Sequence, residues 1–252
     1  MATVLIPIPH RDFDPTEVAV PWSILRDAGH EVILATKDGE PAAADPIVLR
    51  GVVFGLLGPV PHAARTYAEL EASGALRRPA RYDTIDPLQI DGLLLPGGHA
   101  QGMRPYLEDE GLFSLTTDLF EASTPVAAIC HGVLVMARAQ ASSGRPLLEG
   151  RTSTCLPRYM ERLAWWSTAW KLGRYYRTYD AYVQDEVEQS LGARGTFVRG
   201  PVHLMSKGTE SDDRPAFVVD DEHYLSARWP GDAYLLGKRF AGRLGAAIRT
   251  GS

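Results

Sequence analysis

Cysteine is scarce in this chain, with only Cys130 and Cys155 among 252 residues. Two thiols cannot build a disulfide framework, so a reducing, cytoplasmic setting is expected. Long apolar runs are missing too. None approaches the roughly 20 residues of a membrane helix, so neither a span nor a membrane partner is expected. Met1-Ala2-Thr3-Val4-Leu5-Ile6 enters a strand directly, without the basic region or cleavage site of a signal peptide. Positive charge is not in excess: the formal net charge of −5 offers no basic face to nucleic acid. Neither Gly-x-Gly-x-x-Gly nor a phosphate loop occurs, and no nucleotide cofactor is expected. His10, His30, His62, His203 and His223 are scattered without ligand spacing, so no metal site is expected.

What remains is an ordinary globular composition, 45% hydrophobic and 23% charged, long enough for one large core. No internal repeat, low-complexity tract or linker divides the chain, so residues 1–252 read as a single domain. Thr3 to Ile8 reads as a strand and Pro15 to Ala28 as a helix opened by Asp14 and Pro15. Gly29 stops that helix, and Glu31 to Thr36 is a second strand. This βαβ unit predicts an α/β protein with a parallel sheet. Residues 39–62, rich in Gly, Pro and Ala, read as an irregular excursion. Helices are expected over Ala63 to Ser73, Leu107 to Ala122 and Asp232 to Arg249. Strands are expected at Gly92 to Leu95, Pro125 to Ile129, Arg151 to Cys155, Thr196 to Val198, Ala216 to Val219 and Tyr224 to Ala227. Between Leu156 and Leu191 lie eight tyrosines and tryptophans. Such rings either pack a core or dimer face, or line a ligand pocket as a cap insertion over 156–191.

Two strand ends carry the chemistry. Val126-Ala127-Ala128-Ile129 runs into Cys130-His131-Gly132 and then into helix-compatible sequence from Val133 to Ala141. That is the arrangement of a nucleophile elbow. Gly132 permits a sharp bend, and the helix start favours an anion, which lowers the thiol's pKa. An isolated cysteine after an apolar run is otherwise an inert core residue. Leu93-Leu94-Leu95-Pro96-Gly97-Gly98-His99 is a second apolar strand opening into a glycine turn. Both turns belong at the carboxyl edge of a parallel sheet, where α/β proteins build their sites.

These segments resemble the DJ-1/PfpI superfamily, whose fold is that of class I glutamine amidotransferase domains. The resemblance rests on Ala127 to Gly132 and Leu95 to His99. It extends to Glu17-Val18-Ala19-Val20-Pro21, to Thr154-Cys155-Leu156-Pro157 with Glu161, and to Ser226-Ala227-Arg228-Trp229-Pro230-Gly231. It covers residues 3 to about 245, in the family's order, and is nearest to the Hsp31-like and PfpI-like branches. It implies a flavodoxin-like three-layer sandwich, with a mainly parallel central sheet and helices on both faces. It also implies a homodimer.

For the site, the resemblance implies that Cys130 is the nucleophile, paired with His131, and that Glu161 orients His131. Glu161 otherwise reads as a surface residue paired with Arg158 or Arg162. Glu17 would face Cys130, where thiolate and carboxylate repel, so that one of them holds a proton. The amides of Gly98 and His131, in turns shaped by Gly97 and Gly132, are the candidate oxyanion hole. His99 either lines the pocket or is a plain surface histidine. Cys155 reads as a core thiol. The implied activity is cysteine-dependent chemistry on a small electrophilic carbonyl compound, a glyoxalase-III-like hydration or rearrangement, or a hydrolysis. Alternatives are isonitrile hydration, an intracellular cysteine peptidase, and a stress-linked holding chaperone or redox sensor. The distant His-Pro-Glu segment of true glutamine amidotransferases is missing, which argues against glutamine hydrolysis.

Overall fold

A computed structural model describes residues 1–51, 61–202 and 206–250. Part of the excursion expected at 39–62, and His203, lie outside them. The first half of the chain contains β1 (Thr3–Pro7), β2 (Arg11–Phe13), α1 (Pro15–Asp27), β3 (Glu31–Thr36), β4 (Ala43–Ala44), α2 (Pro46–Arg50) and α3 (Pro61–Ser73). Then come β5 (Ala80–Arg81), β6 (Gly92–Leu95), α4 (Arg104–Leu107), α5 (Glu110–Glu121), β7 (Val126–Ile129) and α6 (Val133–Arg138). The remainder contains β8 (Thr152–Ser153), α7 (Arg158–Leu172), α8 (Val183–Leu191), β9 (Thr196–Phe197), β10 (Val218–Asp221), β11 (Tyr224–Ala227) and α9 (Ala233–Thr250).

Among the described residues, seven strands form the central sheet in the order β10-β11-β7-β6-β1-β3-β5. All neighbours are parallel except β10 and β11. Helices α1, α3 and α9 pack together on one face, and α5, α6 and α8 cover the other. The mainly parallel α/β sandwich with helices on both faces is therefore present. Strands β6 and β7 are buried along their whole length, which is why they read as unbroken apolar runs rather than alternating ones. No helix among the described residues is long and apolar enough to cross a membrane.

Three expected elements differ. The helix expected over Leu107 to Ala122 is two helices, because Asp109 caps a new start by accepting from the Leu112 amide at 2.8 Å. The helix after the elbow stops at Arg138. The strand expected over Arg151 to Cys155 contributes only Thr152–Ser153, paired with β9 in a separate two-stranded ribbon.

A buried ion pair fixes the far side of the sheet. Arg228 and Asp232 are both fully buried and meet in a fork, Nε to Oδ2 and Nη2 to Oδ1, each at 2.9 Å. Asp232 also accepts from the Phe217 and Arg228 amides, and Arg228 Nη1 donates to the Pro201 carbonyl. One pair thus ties the end of β11, the start of α9 and two loops. Replacing Arg228 by Leu leaves a buried carboxylate without its counter-charge, and the expected loss is about 3–5 kcal/mol of unfolding free energy. Urea unfolding checks it; a loss below about 1 kcal/mol contradicts the assignment.

Candidate active site

Cys130 sits where β7 ends, with φ at 59°, the left-handed region that a residue with a Cβ rarely occupies. Cys130–Gly132 form a single tight turn that continues into α6. The bend expected at Gly132 is therefore made by the cysteine itself, since Gly132 has an ordinary helical φ of −59°. Gly132 serves close approach instead. A Cβ there would lie 2.2 Å from the Leu95 carbonyl oxygen, and one on Gly97 would lie 2.7 Å from the His131 nitrogen. The two glycines let the ends of β6 and β7 touch backbone to backbone, which presses both motifs into one site.

The other side chains arrive from three directions. Asp14 caps α1, accepting from the Thr16 amide at 2.8 Å, while its own amide donates to the Gly97 carbonyl at 2.9 Å. That cap places Glu17 in the first turn of α1, fully buried, rather than on the surface. Glu17 Oε2 accepts from the Gly97 amide at 2.8 Å, and its carboxyl also contacts the Cys130 thiol. Cys130 Sγ lies 3.6 Å from His131 Nδ1. His131 Nε2 lies 3.2 Å from Thr178 Oγ1, which donates to the His99 carbonyl at 2.6 Å.

Those distances fix where the protons are. A carbonyl can only accept, so the single proton of Thr178 is committed to His99. Toward His131 the hydroxyl must therefore accept, which puts the imidazole proton on Nε2. Nδ1 then faces the thiol with a free lone pair. Burial, His99 and Arg138 hold His131 well below the usual imidazole range, so the ring is neutral.

Burial also reverses one expectation. The Cys130 thiol is pushed up rather than down, first by burial and then by Glu17 and Asp14; the adjoining His131 amide opposes this but does not win. Cys130 is 1% exposed, and the dipole of one short helix cannot offset such desolvation. Glu17 is raised as well, first by burial and then by Asp14, and Asp14 itself is pushed up to about 6, first by burial. The resting site is thus a run of neutral groups: the Glu17 carboxyl touches the Cys130 thiol, the thiol faces His131, His131 donates to Thr178, and Thr178 donates to His99.

Glu161 does not join this chain. Its Oε1 accepts from Arg177 at 3.3 Å and its Oε2 from the Val183 amide at 3.1 Å. The place expected for Glu161, behind His131, belongs to Thr178. The partner expected for Glu161 as a surface residue was Arg158 or Arg162; it is instead buried with Arg177. The aromatic segment divides. Trp166 and Trp170 are 65% and 79% exposed on α7. Tyr175 and Tyr176 turn inward: the Tyr175 hydroxyl lies 3.3 Å from both Asp12 Oδ1 and Asp45 Oδ1, which share its one proton, and Tyr176 packs against His99. The turn carrying them is tied down by Gln101 to the Arg174 carbonyl and by Arg104 to the Thr178 carbonyl. His99 is therefore part of the site, its ring edge-on to His131 at 4.8 Å between centroids.

A family profile described as "ThiJ/PfpI family-like" matches residues 8–201, well over half of the chain. The protein belongs to the ThiJ/PfpI family, within the DJ-1/PfpI superfamily. Among its relatives, protein/nucleic acid deglycase 2 of Escherichia coli K12 is 28% identical over 137 residues, covering 54% of this chain and 64% of that protein. A deglycase of Pyrococcus horikoshii is 28% identical over 146 residues, covering 58% and 68%. The matched region thus spans about two thirds of these relatives. Among solved structures, glyoxalase III from Candida albicans superposes with a TM-score of 0.69 at 19% identity, covering 96% of each chain. The likeness to that structure is one of fold.

In this ThiJ/PfpI protein, Thr178 and Asp14 are the residues that sequence reading passed over. Thr178 lies 47 positions from His131 in an aromatic run, and no spacing links the two. Asp14 was visible only as a helix start. His99, Cys130 and His131 also bring three potential ligating atoms within 4.8 Å of one another. Scattered spacing missed this group because its donors come from two different strand ends. A half-open cavity of about 290 Å³ opens nearby between Tyr82 and Tyr106, rimmed by His10, Arg11 and Lys37; Cys130 does not line it.

Burial lifts the Glu161 carboxyl to about 7, although Val183 and Arg177 pull the other way. A carboxyl raised on folding stabilises fully below its unfolded value and loses that contribution as pH rises through the folded one. Stability should fall between about pH 4.5 and 7, and Glu161→Gln should flatten that fall. Thermal melts across the range check this; equal slopes in the two proteins contradict it.

Proposed function

We propose that this protein is a cysteine-dependent enzyme acting on a small reactive carbonyl compound, in the manner of a glyoxalase III acting on a 2-oxoaldehyde. The observation that carries the reading is the lone pair of His131 Nδ1 aimed at Cys130 Sγ at 3.6 Å, with the ring proton held on the far side by Thr178. The names of the deglycase relatives and the glyoxalase III fold neighbour support the substrate class.

The thiol adds to the aldehyde carbon. The new C–S bond forms as the C=O π pair moves to oxygen, and the thiol proton passes to His131 Nδ1. The developing oxyanion is proposed to be received by the Gly98 and His131 amides, since the Gly97 amide is already held by Glu17. Glu17, protonated at rest, supplies a proton to that oxygen and leaves a neutral hemithioacetal. As a carboxylate it then takes the carbon-bound proton of the former aldehyde, and the neighbouring carbonyl oxygen receives the proton held by His131. Glu17 returns the carbon proton to the neighbouring carbon, and the adjoining hydroxyl proton passes to the Glu17 carboxylate, which gives a thioester and restores the resting acid. Water cleaves the thioester to a 2-hydroxy acid and free Cys130. The sequence is redox-neutral overall and needs no cofactor. The segment over 156–191, through Tyr175, Tyr176 and Thr178, is proposed to cap the pocket. A homodimer in a reducing compartment completes the proposal, resting on the family resemblance and two free thiols.

Isonitrile hydration, peptidase and chaperone or redox-sensor roles have no comparable supporting geometry. Methylglyoxal turnover tests the reading. Cys130→Ala should abolish it, and Thr178→Val should lower kcat/KM about 10- to 100-fold by freeing the wrong tautomer. Unchanged turnover in Cys130→Ala removes the proposal. The base must be unprotonated, and His131 titrates low. The acid limb of kcat/KM should therefore fall below the ordinary imidazole value of about 6.5; a limb at or above that value contradicts the neutral-histidine assignment.

A further inference from the structure

We propose that Cys130, His131 and His99 together form a binding site for a borderline-soft divalent cation of the Zn²⁺ class, whose occupation reversibly blocks the nucleophile. Three observations carry the binding site, and only the block of catalysis rests on the enzyme reading above.

The first is the donor set. Zn²⁺ favours thiolate sulfur and imidazole nitrogen, and open zinc sites combine three protein ligands with one water. Here one sulfur and two imidazoles converge, with their ligating atoms within 4.8 Å of one another. The second is metric. Zn–S and Zn–N bonds at tetrahedral angles place sulfur and nitrogen about 3.5 Å apart. Cys130 Sγ and His131 Nδ1 are separated by 3.6 Å, so two of the three ligands need no movement. The third is the state of the nitrogens. Thr178 fixes the His131 proton on Nε2, leaving Nδ1 free, and supplies the outer hydrogen bond that metal-bound imidazoles usually have. His99 Nδ1 is a buried atom with no hydrogen-bond partner among the described residues. No hydrogen bond among the described residues holds that nitrogen in place, and a ring movement of roughly 1 Å closes the set to a zinc tetrahedron.

The binding step balances simply. Cys–SH and Zn²⁺ give a Zn–S bond, and the thiol proton leaves to the buffer. Both histidines bind neutral, a water fills the fourth position, and nothing is oxidised or reduced. Zinc draws electron density from the sulfur and blocks its approach to a carbonyl, so the bound form reacts slowly until a chelator removes the ion.

The test uses the full chain, with Zn²⁺ alone measured by equilibrium dialysis and Co²⁺ as a spectroscopic stand-in. One ion per chain is expected, and the Co²⁺ form should show a thiolate-to-cobalt charge-transfer band with tetrahedral d–d absorption. Cys130→Ser should lose both the band and stoichiometric binding. His99→Ala should weaken Zn²⁺ binding about 10- to 100-fold while its circular dichroism spectrum matches that of the parent protein. Zn²⁺ should also slow alkylation of Cys130 by iodoacetamide, reversibly on adding a chelator. Equal Zn²⁺ affinity in His99→Ala and the parent protein, or one tightly held ion in Cys130→Ser, overturns the site. These readouts do not involve turnover, so failure of the carbonyl reading leaves them standing, and the reverse also holds.

Discussion

The hydroxyl of Thr178 has one proton to give, and the His99 carbonyl takes it at 2.6 Å. Everything chemical in the site follows from that. His131 must donate through Nε2, its other nitrogen must be bare, and the bare nitrogen is the one beside sulfur. A carboxylate in the same place would impose the same tautomer but would also add a charge to a fully buried pocket. The hydroxyl orients the ring without one. Orientation by a neutral group is consistent with a site whose thiol and Glu17 carboxyl burial holds toward their neutral forms.

Geometry supplies the rest. The ends of β6 and β7 come within reach of each other because Gly97 and Gly132 carry no side chain to hold the backbones apart. The resulting contact delivers the Gly97 amide to Glu17 and brings Cys130 beside His131 and His99. Cys130 carries backbone strain, its left-handed conformation held by the buried strand before it and the buried helix after it. The surrounding sheet thus holds one residue in a conformation it would not choose alone. The Asp14 cap performs the same service for Glu17, fixing the first turn of α1 against the Gly97 carbonyl.

Much of the architecture could be read from residues. Apolar runs closing on glycine turns announced β6 and β7, and the capped helix between β1 and β3 announced a parallel sheet. Cys130, His131, Glu17 and His99 were legible because each lies at or next to a strand end or helix start with a local signature. What failed did so for two reasons. Local rules assigned Gly132 the bend and Cys130 an acidic thiol, but tertiary contact decides both: a carbonyl 2.2 Å from a hypothetical Cβ, and complete burial of the sulfur. Thr178 was invisible for a different reason. A threonine in an aromatic run has no pattern of its own, and only the turn after α7, tied to Gln101 and Arg104, carries it to His131. Glu161 shows the converse, an acidic residue in a plausible position whose partner proved to be Arg177.

The position of one proton tests this account most directly. Nitrogen-15 NMR of the His131 ring in the resting protein at neutral pH distinguishes a protonated ring nitrogen from a bare one. The account predicts the proton on Nε2 and a bare Nδ1 facing sulfur. A proton on Nδ1, or a doubly protonated ring beside a thiolate, would contradict it.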